Sequence, residues 1–291
     1  MIATQKVAYG YLQVQLDPEQ PLGEAILKEW RAELARGFFT LGPAVERLEQ
    51  AWEKTCGTKH AVGVNSGTDA LIIAMKALGI GPGDEVITCP NTFVATVGAI
   101  VAAGARPVFV DANENYTIKE NSASYQAGRR HINMAIADKV AVIPVDLTGY
   151  PAEGFVGWKK STKIPVIRDA CQSIGATIGG ISSGKLATVA CYSLHPLKNV
   201  HACGDGGMIV TDNDDLAEFA RLYRNHGLKD RDTVVMPGIN SRLDTLQAIA
   251  GWHLLQRLEE ITEKRNHNAA LYDQMLAGVE GVTVPPRPGP H

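Results

Sequence analysis

Short apolar strand-like runs alternate with helical patterns from about residue 60 to about residue 225, and few folds accommodate that arrangement. His60–Val64, Val86–Cys89, Pro107–Val110, Val140–Val145, Ile164–Arg168, Val189–Leu194 and Met208–Val210 read as strands. Thr68–Leu78, Val94–Ala103 and Asp214–Arg224 read as helices between them. A strand apolar at every residue, not every second one, is buried on both faces. The pattern predicts an α/β fold whose mostly parallel central sheet carries helices on both faces. Ser241 to about Leu276 reads as one long helix, stopped by Gly278 and the tail Pro285–Pro290. Asn113–Asp138 is polar and has no clear period, so a loop with an irregular helix is expected there.

Bulk properties narrow the function classes. The 291 residues carry a formal charge of −3, which gives no electrostatic reason to expect nucleic acid or an anionic membrane as partner. No apolar run reaches the length of a membrane span, and Met1–Gly10 lacks a secretory pattern, so a cytoplasmic protein is expected. The cysteines (Cys56, Cys89, Cys171, Cys191 and Cys203) are odd in number and contain no C-x-x-C pair. Neither a disulfide framework nor a metal site is suggested, and Cys171 and Cys191 read as small buried hydrophobes.

Three segments carry candidate chemistry. Ser66-Gly67-Thr68 follows a strand and opens a helix, a place where backbone N–H groups attract phosphate, although Ser66 reads equally as an ordinary N-cap. Asp169 ends a strand, where α/β sheets bind ligands. It suits a metal ligand, a general base, a partner for a protonated ring nitrogen or a simple turn cap. Gln172 follows three residues on and is placed to turn its amide toward the same ligand. Ser193-Leu194-His195-Pro196-Leu197-Lys198-Asn199 lies beyond the next strand, and a lysine held there can form a Schiff base with an aldehyde. His195 reads as a substrate contact or a packing residue. Gly204-Asp205-Gly206-Gly207 suggests a tight turn near a bound group. The run Gly79-Ile80-Gly81-Pro82-Gly83 follows a helix and precedes a strand, the reverse of a dinucleotide loop, which argues against a nicotinamide enzyme.

Taken together, VNSGTDAL (64–71), TFVATVGAI (92–100), RDACQSIGA (168–176), SLHPLKN (193–199), GDGGMIVT (204–211), RNHG (224–227) and NSRLDTLQA (240–248) resemble the DegT/StrS family of sugar aminotransferases. The resemblance implies the aspartate-aminotransferase fold (fold type I of the pyridoxal-phosphate, PLP, enzymes), a homodimer with shared sites, and transfer of an amino group from an amino acid, glutamate above all, to a keto-sugar. That sugar is nucleotide-linked, or phosphorylated or acidic. It implies Lys198 as the Schiff-base lysine, Asp169 as the partner of the pyridine nitrogen, Phe93 as the aromatic stacked on the ring and Gln172 near the ring hydroxyl. Gly67, Thr68 and Ser193 match the phosphate binders, and Asn240 a phosphate contact supplied to the neighbouring subunit. Relatives with histidine in place of the lysine dehydrate sugars, so Lys198 favours transamination over a dehydratase. A non-catalytic PLP-binding or regulatory relative is the other alternative. The expected organisation is an N-terminal segment (1–36), a large PLP-binding domain (37–250), and a long helix with the start of a small C-terminal domain (251–291). The chain ends after VTVPPRPGP, where family members continue, so that small domain is expected to be truncated.

Overall fold

A computed structural model of the chain describes residues 11–122, 139–156, 158 and 164–285. Its helices are α1 (Leu12–Gln15), α2 (Pro21–Arg36), α3 (Pro43–Cys56), α4 (Gly67–Ala77), α5 (Val94–Ala102), α6 (Asp214–Tyr223), α7 (Thr245–Leu255) and α8 (Leu258–Leu276). The strands are β1 (His60–Val64), β2 (Glu85–Thr88), β3 (Arg106–Phe109), β4 (Val140–Val142), β5 (Ile167–Asp169), β6 (Thr177–Ile178), β7 (Ile181–Ser182), β8 (Val189–Ser193) and β9 (Gly207–Thr211). Every strand expected from the apolar runs forms, His60–Val64 with the expected ends and the others with ends shifted by up to three residues.

The main sheet consists of two ladders, β3-β2-β4 and β1-β9-β8-β5. Parallel bridges Val142–Val166 and Val145–Asp169 join β4 to β5. Only β9 runs against its neighbours, pairing antiparallel with both β1 and β8. All the parallel strands therefore end on one edge. A short hairpin of β6 and β7 lies outside this sheet.

Alternate residues of the same strand enter different cores, which explains the unbroken apolar runs. Ala190, Tyr192, Met208 and Val210 pack with Leu48 and Trp52 of α3 and Leu254 of α7. Val189, Cys191 and Ile209 point the other way, into a core with Leu71 and Ile73 of α4, Ile100 of α5 and Leu216 of α6. Both layers exclude water, so each strand has no polar face to display.

The long helix expected over Ser241–Leu276 is instead two helices. Ser241–Asp244 is extended and includes a bridge between Arg242 and Val64, and α7 stops at Leu255. Arg257 leaves the helical region (φ −108°, ψ 14°), and α8 then runs to Leu276 without a buried residue. Packing of α7 into the core sets its direction, while α8 touches that core only through the partly buried Leu258 and Ile261 of its first turn. Gly278 adopts φ 78° just beyond α8, the expected stop. Of the polar 113–138 stretch, the described residues 113–119 form a loop in which Ile118 bridges back to Ala112, and residues 120–122 are helical. Residues 123–138 and 286–291 lie outside the described residues.

Candidate active site

The turn from β1 into α4 is built by local chemistry. Ser66 is extended and its Oγ accepts the Asp69 N–H at 3.1 Å, the ordinary N-cap. Ala70 N–H bonds to the Ser66 carbonyl, so among the described residues the N–H groups of Gly67 and Thr68 have no acceptor. These two orphan donors face the helix entrance, where the helix dipole favours an anion.

Gly67 is required by its neighbours. A Cβ there would lie 2.8 Å from Ser193 Cβ and 2.9 Å from Cys171 Sγ. Gly207, opening β9, is pressed against the Ser66 carbonyl from the other side, with a would-be Cβ only 2.2 Å from that oxygen. The GDGG run thus has its tight approach, made to the Ser66 turn itself. Gly67→Ala is expected to destabilise the fold by about 1–3 kcal/mol, because the added methyl must displace Ser193 or Cys171. A denaturant midpoint unchanged from wild type would contradict this packing.

Asp169 ends β5 and is 6% exposed. Its Oδ2 accepts the Thr96 hydroxyl at 2.6 Å and its Oδ1 the Cys171 N–H at 3.3 Å. The turn-capping role therefore holds, but it uses one oxygen only weakly. Among the described residues no basic side chain pairs with this carboxylate. Buried carboxylates are ordinarily matched by a cation.

The lysine segment follows β8. Ser193 Oγ accepts the His195 N–H at 3.2 Å, the His195 carbonyl accepts the Lys198 N–H at 2.8 Å, and His195 Nδ1 accepts the Leu197 N–H at 3.3 Å. His195 is exposed, so it neither packs nor needs to: it shapes the turn that presents the half-buried Lys198. Burial, then the Asp169 carboxylate, push the Cys171 thiol well above its usual range, while the Lys198 charge pulls the other way. Burial and Asp169 likewise raise Cys191. Asp169, Cys171 and Lys198 are thus electrostatic neighbours, and both thiols stay neutral.

Phe93 is the N-cap of α5, and at 68% exposure its ring is no core aromatic. Its carbonyl accepts the Thr96 N–H, so Phe93 and the residue that bonds Asp169 share one helical turn. Gln172 is exposed beyond Cys171. Gly67, Thr68, Ser193, Lys198, Asp169 and Phe93 therefore all sit on elements at the carboxyl edge of the sheet. Asn240 does not join them. Its exposed amide oxygen accepts the Arg242 Nε at 3.0 Å, and its backbone bridges Asn225.

Two groups here were not singled out in the sequence. Thr96 and Thr92, whose hydroxyls lie 2.7 Å apart, were hidden inside the TFVAT run. Arg168 and Asp146 form a fully buried ion pair at 2.9 Å directly behind Asp169. A charge within an apolar strand was the available signal. Among the described residues no group of three or more His, Cys, Asp or Glu side chains is placed to hold a metal ion. Nor, among the described residues, is any helix long and apolar enough to cross a membrane.

A model of the DegT/DnrJ/EryC1/StrS aminotransferase family matches residues 20–291. A pleiotropic regulatory protein of Geobacillus stearothermophilus is 41% identical over 84% of this chain and 64% of its own length. A UDP-2-acetamido-2-deoxy-3-oxo-D-glucuronate aminotransferase of Pseudomonas aeruginosa is 40% identical over 87% of this chain and 68% of its own. Among solved structures, Streptomyces venezuelae DesV in complex with a ketimine intermediate superposes with a TM-score of 0.88 at 34% identity. That match covers 98% of this chain and 75% of DesV. The chain thus spans about two thirds of the length of these curated relatives, and the α/β fold is that of the PLP-dependent aminotransferases.

Proposed function

The chain belongs to the DegT/DnrJ/EryC1/StrS aminotransferase family, and from that premise we propose that it transfers an amino group from an amino acid, glutamate first, to a keto-sugar. Pyridoxal phosphate is the cofactor of this family. The observation that carries the reading is the buried Asp169 carboxylate, matched by no cation among the described residues, on the same sheet edge as Lys198 and the N–H groups of Gly67 and Thr68, which have no acceptor among those residues.

These groups fit the cofactor. Gly67, Thr68 and Ser193 would hold the phosphate, Asp169 the protonated ring nitrogen, Phe93 one face of the ring and Gln172 the ring hydroxyl. PLP, when bound, supplies an electron sink. Asp169 keeps a proton on the ring nitrogen, because an opposite charge nearby favours the charged form. Lys198 Nζ would anchor the cofactor and, once the donor's amine has displaced it, would be free to take the proton from the donor's α-carbon, work typically worth about 10²–10⁴-fold in rate. Residues 37–250 form the PLP-binding unit in this reading, and Leu254 and Leu255 of α7 complete its core. The substrate is nucleotide-linked in our reading, by likeness to the Pseudomonas enzyme.

The reading is tested by adding PLP and following the visible spectrum. A band that bleaches with glutamate, and amination of a UDP-linked 3-keto-sugar, are expected. A band without turnover would favour a regulatory protein, and no band would sink the reading.

The same reading makes the protein a homodimer. The outer side of α5 leaves Val94 (72% exposed), Val101 (60%), Gly98 and Ala102 uncovered beside Phe93. An apolar helix face of that kind marks an interface. Asn240 would reach the second copy's phosphate. Light scattering is expected to give twice the monomer mass, and Val94→Arg with Val101→Glu to give monomer with weakened PLP binding. Wild-type protein that is monomeric at all concentrations would contradict the shared site.

A further inference from the structure

We propose that Thr92 and Thr96 are positioning residues, a directed pair of hydroxyls that ties the Phe93 turn to the Asp169 carboxylate; this rests on the PLP reading above. Thr96 is fully buried, and its Oγ1 stands 2.6 Å from Asp169 Oδ2. A carboxylate only accepts, so the Thr96 hydrogen goes to Asp169. A hydroxyl has one hydrogen, so Thr96 Oγ1 accepts from Thr92 Oγ1 at 2.7 Å, and Thr92 is the donor. The direction Thr92 to Thr96 to Asp169 follows from valence alone.

Both contacts are at the short end for hydroxyl bonds, and bonds to a charged acceptor are the stronger ones. The other hold on the carboxylate, the Cys171 N–H at 3.3 Å, is long. Thr96 is therefore the main restraint on how Asp169 is presented to a cationic ring nitrogen. Thr92 precedes Phe93, so the chain also couples the placement of the aromatic to that of the carboxylate. Among the described residues, the thiols of Cys171 and Cys191 interact electrostatically with Asp169, and Lys198 with Cys171.

The test compares Thr96→Val, Thr96→Ser, Thr92→Val and the Thr92→Val/Thr96→Val double variant. Readouts are the PLP dissociation constant from equilibrium dialysis and the pH midpoint of the visible band of bound PLP. Thr96→Val is expected to weaken PLP binding about 10- to 100-fold and shift the midpoint, with Thr96→Ser restored to within about 3-fold. Thr92→Val is expected to show a smaller loss that disappears in the Thr96→Val background, because Thr92 acts through Thr96. Wild-type affinity and midpoint in Thr96→Val, or an undiminished Thr92→Val effect in that background, would overturn the proposal. Should Thr96→Val not fold by circular dichroism, a weakened Thr92→Val beside a normal Thr96→Ser supports it, and a normal Thr92→Val refutes it. Wild-type protein that takes up no PLP would instead refute the cofactor reading, before any threonine variant is measured.

Discussion

Lys198→Ala is expected to lower turnover by about 10⁴-fold or more, since in the proposed reading one amine would supply both the covalent anchor and the proton transfer. The visible band of lysine-linked PLP should vanish with it. The fold should not suffer. Lys198 is half-buried, its backbone N–H is held by the His195 carbonyl irrespective of the side chain, and none of its side-chain atoms enters a core cluster. Stability within about 0.5 kcal/mol of wild type is therefore expected. A variant that keeps both the band and glutamate-dependent bleaching would show that another lysine holds the cofactor. A variant that loses the band because it has unfolded would be recognised by its circular dichroism, and Lys198→Arg, which retains charge and length, would then replace it.

Arg168→Met is expected to destabilise the protein by about 3–5 kcal/mol, the typical result of stranding one member of a buried ion pair. The Arg168 guanidinium and the Asp146 carboxylate are both fully buried. Arg168 also donates to the Ala152 carbonyl at 3.1 Å, and Asp146 accepts from the Ala152 N–H at 3.0 Å and the Ser173 hydroxyl at 2.8 Å. Removing the guanidinium leaves Asp146 with neutral donors only. The damage reaches the site, because Asp146 N–H bonds the Asp169 carbonyl and Asp169 N–H the Pro144 carbonyl. Denaturant unfolding measures the effect. Replacing both partners, Asp146→Leu with Arg168→Met, should recover part of the loss, since no lone charge then stays buried. A single-variant loss below about 1 kcal/mol would mean that water reaches the pair.

How much of this was legible beforehand depended on the range of the interaction. The strands could be read because burial on both faces leaves few polar positions, a property each segment carries by itself. Gly67 and Lys198 could be placed at strand ends for the same reason. The break between α7 and α8 could not, because Gln256 and Arg257 are good helix formers and no local residue forbids continuation. It arises from the docking of Leu254 and Leu255 into the core.

The amino-acid order by itself thus determined the layered α/β fold and the residues at its strand ends, since periodicity and turn chemistry act over a few residues. Tertiary structure alone decided which polar groups meet. Thr96 and Asp169 are 73 positions apart, and Arg168 and Asp146 are 22 apart. Nothing local distinguishes a threonine in a first helical turn, or an arginine in a strand, until the sheet has formed. Only then does burial remove water as the competing partner, so that each donor must find its acceptor within the protein.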